Sequence, residues 1–169
     1  GIICHHGEGM DILPADDNLP PIAAGIHTVP EEERKRLLLR EITSIVKPDY
    51  DYVILDAAPS LNMMSLNILA AADEAIIATQ PQGAAEKGVR ELIKAAWHIT
   101  ETANPALVIK GLLITMVDSR TSYNKNMVRD ITEGYTDIGL KVYRTTIPRA
   151  VAAESWVENK MSILKSAPS

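Results

Sequence analysis

The sequence predicts an α/β fold with a mostly parallel sheet and helices on both faces. Three observations lead there. Short, continuously apolar runs end on polar residues, and helical runs of ten or more residues separate them. The composition is 46% hydrophobic but only 4% aromatic with no Phe, so the core must be built from Leu, Ile, Val, Ala and Met, which suits helices packed on a sheet.

Met10 to Leu13 reads as a short strand that enters a loop at Pro14, Asp16, Asp17 and Asn18, and Pro20, Pro21, Gly25 and Pro30 keep the next stretch irregular. A helix follows. Glu31, Glu32 and Glu33 lie in its first turn, where the helix dipole favours acids, and Leu37, Leu38, Ile42, Ile45 and Val46 form the expected buried stripe before Pro48 ends it. Tyr52 to Leu55 is a continuous apolar run of the kind found in strands covered on both faces. Leu61 to Ala72 has helical spacing, Ala75 to Thr79 reads as a strand, and Ala84 to Thr102 as a helix carrying Val89, Leu92, Ile93 and Trp97. Val108 to Met116 is the next strand, Asn124 to Tyr135 a helix and Lys141 to Thr146 a last strand. From Tyr52 the order is thus β-α-β-α-β-α-β, which implies crossovers and parallel pairing.

At 169 residues the chain is long enough for one core, so a single domain over 1–169 is expected. The net charge of -5 does not predict a polyanion-binding surface, although a local basic patch would escape that count. Cys4 is the single cysteine, which excludes an intrachain disulfide and suits a reducing, cytoplasmic setting. No run approaches the roughly 18 to 20 apolar residues that span a bilayer, so a soluble protein without membrane partners is expected. Cys4, His5 and His6 are adjacent, and adjacent ligands rarely point at one ion. Trp97 and Trp156 read as packing residues.

In an open parallel sheet, ligands bind beyond the carboxyl ends of the strands. There this sequence places Asp56; Gln80; Asp118, Arg120 and Thr121; and Pro148 and Arg149. Any one of these is an ordinary polar strand end. Four strand ends converging on one rim make a site. Asp56 after a hydrophobic run has the pattern of a Walker B carboxylate, which holds magnesium directly or through water beside nucleotide phosphates. Asp118 has a plainer alternative as a turn residue capping the next helix.

Asp56-Ala57-Ala58-Pro59-Ser60-Leu61, then Asn67, Ala71-Ala72-Asp73 and a strand ending in Gln80, resembles the second block of the ParA family of partition ATPases. Gly111 to Thr121 (GLLITMVDSRT) is similar to that family's G-x-L-x-T-M-x-D-x-R-T block, and Ile147-Pro148-Arg149 to its I-P-R block. Ile3 to Asn18 is similar to the segment before the first helix in ParA-like proteins of conjugative elements. The resemblance implies a P-loop NTPase-like fold and an ATP hydrolase using ATP and Mg2+. It further implies ATP-dependent homodimerisation, binding to non-specific DNA and stimulation by a ParB-like centromere-binding protein, in a cytoplasmic, nucleoid-associated setting. By resemblance, Asp56 is the magnesium-side residue, Pro148 and Arg149 lie at the nucleotide base, Arg120 contacts the DNA backbone, and Gln80, Asp118 and Thr121 shape the pocket rim.

The family's K-G-G-x-G-K-T/S phosphate loop is not in this sequence. The chain therefore reads as the interior and C-terminal portion of such an ATPase, incomplete at both termini. Alone it is expected to bind ATP weakly, to be inactive as an enzyme, and to self-associate over exposed apolar surface. Ala152 stands where many relatives carry a second basic residue; Lys125, Arg129 and Lys160 are available to compensate, with the plainer alternative that each is an ordinary solvated side chain. Two other readings compete. A MinD-like regulator of division-site placement usually shows P-A-G after its Walker B Asp, where this chain has Pro59-Ser60-Leu61. A non-catalytic interaction module would act by pairing with an intact homologue or a DNA-bound partner.

Overall fold

The computed structural model describes residues 4–6, 9–12, 32–57 and 61–149, with 4–6, 32–36 and 84–86 as backbone. They fall into two compact units, residues 1–72 with 101–105, and residues 73–100 with 106–169. No helix among the described residues is long and apolar enough to cross a membrane.

In the first unit, β1 (Cys4–His6) and β2 (Met10–Ile12) form an antiparallel hairpin with Cys4 opposite Ile12. β1 was not expected from the sequence. The Tyr50 hydroxyl donates to Asp11 Oδ2 at 2.6 Å and ties β2 to the chain beyond the first helix. That helix, α1 (Glu32–Val46), runs into a 3₁₀ turn at Lys47–Asp49, where Pro48 has no N–H to continue the ladder. The expected buried stripe is only partly realised: Leu37, Leu38 and Val46 are half-buried and Thr43 is buried, whereas Ile42 and Ile45 are exposed.

The strand expected at Tyr52–Leu55 does not form. These residues belong to no strand, and Tyr52 and Ile54 are 86% and 88% exposed. An apolar run becomes a buried strand only where neighbours supply a ladder and cover its faces, and the described residues supply neither.

α2 (Met63–Ala71) begins at Asn62, whose side chain accepts the Ser65 N–H at 3.0 Å. Its buried Asn67 accepts the Leu39 N–H of α1 at 3.5 Å and donates to the Met63 carbonyl at 3.0 Å. At the other end, buried Asn104 donates to the carbonyls of Leu69 (3.1 Å) and Ala72 (2.7 Å). Two asparagines therefore satisfy polar backbone that packing would otherwise bury at a cost.

The second unit is built on β3 (Glu74–Thr79) and β4 (Val108–Ile114), paired in parallel and linked through α3 (Gly83–Thr102). α4 (Ser122–Asp137) follows β4. Ile77, Leu112 and Ile114 meet Val89 and Ile93 of α3 and Ile131 and Tyr135 of α4 in the core. Trp97 lies off the buried α3 stripe and is 42% exposed; Trp156 lies outside the described residues.

The register shifts between Ala75 and Ile76, so that Ala75 faces Ile109 while Ile76 faces Gly111. The extra residue, Lys110, restores the alternation so that Ile109 and Leu112 both reach the core. Gly111 has φ +138, and a Cβ there would lie 2.4 Å from the Lys141 carbonyl oxygen. Only glycine lets the chain at Lys141 come this close.

Of the last expected strand, Lys141–Thr146, one isolated parallel bridge forms, Leu112 with Val142, and a second, Val117 with Pro148, lies just beyond it. The Tyr143 N–H bonds to Leu112 O and the Ile147 N–H to Ile114 O. Four residues on one side thus span two on the other, and the excess interrupts the ladder.

Candidate functional site

The rim of the second unit is assembled by backbone pairing beyond β3 and β4. The Thr115 N–H donates to Thr79 O at 2.8 Å, which fixes the start of the loop after β4 beside the end of β3. Gln80 follows Thr79 and is exposed; its carbonyl accepts the Gln82 N–H at 2.8 Å across buried Pro81. Met116 then takes φ +56, an uncommon backbone for a residue with a Cβ, and is exposed. Val117 next pairs with the last extended segment: its N–H donates to Ile147 O at 3.1 Å and its carbonyl accepts the Arg149 N–H at 3.0 Å. This double pairing sets Asp118 beside Pro148 and Arg149.

Asp118 and Arg120 form a two-pronged ion pair. Nε of Arg120 donates to Oδ1 at 2.9 Å and Nη2 to Oδ2 at 2.8 Å, while the backbone N–H of Arg120 reaches Oδ1 at 3.1 Å. The Arg120 side-chain hydrogen bonds, then its backbone N–H, and then the charges of Arg120 and Arg149 outweigh partial desolvation and hold Asp118 down to about 2. The same pairing raises Arg120.

Thr121 is the N-cap of α4. Its hydroxyl oxygen accepts the Asn124 N–H at 3.2 Å and Asn124 Nδ2 at 2.9 Å, and donates to Asp118 O at 3.3 Å. Capping, the alternative weighed for Asp118, thus falls to Thr121.

Of the residues singled out in the sequence, the second unit brings Asp118, Arg120, Thr121, Pro148 and Arg149 together, with Gln80 at the neighbouring strand end. Asp56 belongs to the first unit, where it is exposed at the end of the Tyr52–Leu55 run. Pro59 and Ser60 lie outside the described residues, as do Ala152 and Lys160. Met116, exposed at the rim, was not singled out, although it stands inside a quoted motif; Ile147, also exposed there, is the strand-end residue before Pro148 and Arg149. A separate groove of about 250 Å³ is lined by Arg90, Met127, Asp130, Ile131, Gly134, Tyr135 and Ile138. It includes none of the rim residues, and strand-end chemistry rather than concavity marks the candidate site.

A family model described as an AAA domain matches residues 1–109. The sporulation initiation inhibitor protein Soj of Bacillus subtilis is 35% identical over 144 residues, which are 85% of this chain and 54% of that protein. The chromosome partitioning protein ParA of Caulobacter vibrioides is 30% identical over 145 residues, 85% of this chain and 52% of that protein. The chain belongs to the ParA family of P-loop NTPases.

The chain spans about half the length of the curated relatives it matches. Among solved structures, the cobyrinic acid a,c-diamide synthase of Mycobacterium smegmatis with bound ATP analog and magnesium is similar at TM-score 0.78 and 28% identity, covering 97% of this chain and 67% of that one.

Proposed function

We propose that this chain is the interior and C-terminal portion of a ParA-like ATPase that segregates DNA, both compact units belonging to one α/β domain. In the intact protein, ATP with Mg2+ drives homodimerisation and non-specific DNA binding, and a ParB-like centromere-binding protein stimulates hydrolysis. Its setting is cytoplasmic and nucleoid-associated.

The observation that carries this reading is the rim set by Val117, which places Asp118, Arg120, Pro148 and Arg149 together in a ParA-family chain. The residues present include groups suited to Mg-ATP. Exposed Pro148 and Arg149 offer a flat apolar surface and a cation for the base, and Asp56 is an exposed carboxylate for the metal side. The phosphate cradle is another matter, because the sequence holds no K-G-G-x-G-K-T/S loop. Bound Mg-ATP would supply a phosphoanhydride for hydrolysis. Asp56 would orient the metal's water shell, Gln80, Asp118 and Thr121 would shape the rim, and Arg120 would meet the DNA backbone.

Exposed Ile42, Ile45, Tyr52 and Ile54 support the same reading, since they are apolar surface that further chain or a second copy would cover. Steady-state ATP hydrolysis by the intact protein tests it. Asp56→Ala is expected to lower kcat by at least about tenfold, within the range for removing one group that acts on the transition state. Unchanged kcat in that variant would remove Asp56 from the metal side.

A further inference from the structure

Arg120 has a long side chain that is 87% exposed, yet it is fastened at its tip. A guanidinium carries five N–H donors in a planar fork. Asp118 takes Nε–H and one Nη2–H, at 2.9 and 2.8 Å, and also accepts the Arg120 backbone N–H at 3.1 Å. The edge made by Nη1 and the second Nη2 hydrogen takes no part in this pair. Such an edge matches two oxygens of a phosphate. Asp118 is itself well placed to act as an anchor. Its side chain is 25% exposed, and it follows Val117, whose backbone is bonded on both sides to Ile147 and Arg149.

We infer that Asp118 is a positioning residue for polyanion binding: it holds the Arg120 guanidinium by one edge so that the other edge is presented to a nucleic-acid phosphate. This rests on the proposed role of Arg120 at the DNA backbone. Asp118 has two opposed effects. Its negative charge repels a phosphate, while its hydrogen bonds remove in advance the rotamer freedom that Arg120 would lose on binding. The repulsion acts across the width of the guanidinium at an exposed site, where water and salt screen it strongly. The ordering is not screened. Positioning therefore outweighs repulsion, and removing this negative charge weakens binding to a polyanion.

The test is a double-mutant cycle on the intact protein with Mg-ATP, read by fluorescence anisotropy of a labelled duplex of arbitrary sequence at fixed salt. Arg120→Ala is expected to weaken binding about tenfold, as for loss of one charged phosphate contact. Asp118→Ala is expected to weaken it about threefold to tenfold, the range for freeing one rotamer-rich side chain. In the Arg120→Ala background, Asp118→Ala should leave affinity unchanged or tighter, because only its charge is then removed. Asp118→Asn keeps the shape of the turn and should fall between wild type and Asp118→Ala, and it decides the matter if the alanine variant does not fold. Unchanged or tighter binding in Asp118→Ala, beside weakened binding in Arg120→Ala, would overturn this inference alone. Equal weakening by Asp118→Ala in both backgrounds would also overturn it, as a merely structural effect. No effect of Arg120→Ala would overturn the DNA role of Arg120 and this inference with it.

Discussion

Replacing Gly111 with alanine should loosen the rim from a position that touches no candidate ligand. The new methyl would lie 2.4 Å from the Lys141 carbonyl oxygen, and that oxygen accepts the N–H of fully buried Leu112 at 2.8 Å. Relief to an ordinary contact of about 3.4 Å moves the carbonyl by about 1.0 Å, enough to stretch the hydrogen bond to about 3.8 Å and lose it. The buried N–H left behind costs about 1 to 3 kcal/mol. The φ of +138 adds about 1 to 2 kcal/mol for any residue with a Cβ. The sum is about 3 kcal/mol, or roughly 9 °C in Tm for a chain of this size. Gly139→Ala is the control: φ is +80 but its Cβ would meet nothing within 4 Å, so only the conformational cost of about 1 kcal/mol applies. Urea unfolding followed by tryptophan fluorescence measures both. Equal destabilisation of the two variants, within about 0.5 kcal/mol, would refute the close approach as the reason for Gly111.

Two other outcomes follow from the same geometry. The Asp118 carboxyl should titrate near about 2 by NMR, below its ordinary 3.8; its ionised form therefore stabilises the folded loop above about pH 4 and loses that effect as pH falls towards about 2. Arg120→Ala should move the titration back up, and an unmoved midpoint would contradict the assigned cause. Asn104→Ala should cost about 2 kcal/mol, since it strips donors from the carbonyls of Leu69 and Ala72. A urea midpoint equal to wild type would show that water replaces that side chain freely.

Periodicity made the second unit legible. Val89 and Ile93 marked the buried face of α3, and the runs at Ala75 and Val108 became β3 and β4 with ends shifted by one or two residues. The same kind of signal misled at Tyr52–Leu55, at Ile42 and Ile45, and at Trp97, because an apolar side chain reports a surface suited to burial and says nothing of what covers it. β2 was legible as the short run from Met10, but β1 escaped notice because Cys4, His5 and His6 make no apolar run. At the site, the motifs located Asp118, Arg120, Pro148 and Arg149 but not their relations. Asp118 and Arg120 meet only because the turn after Met116 folds residue i over i+2, and nothing in the residue types specified that turn. The N-cap at Thr121 was readable in principle from a Thr placed three residues before Asn124.

Ile147, Pro148 and Arg149 are expected to lie at the nucleotide base of the intact protein. Photolabelling of the intact protein with 8-azido-ATP and Mg2+, followed by peptide mapping, tests it most directly. The label is expected on the peptide that contains Ile147, Pro148 and Arg149, with protection by excess ATP. ATP-protected label confined to peptides without these residues would contradict the claim.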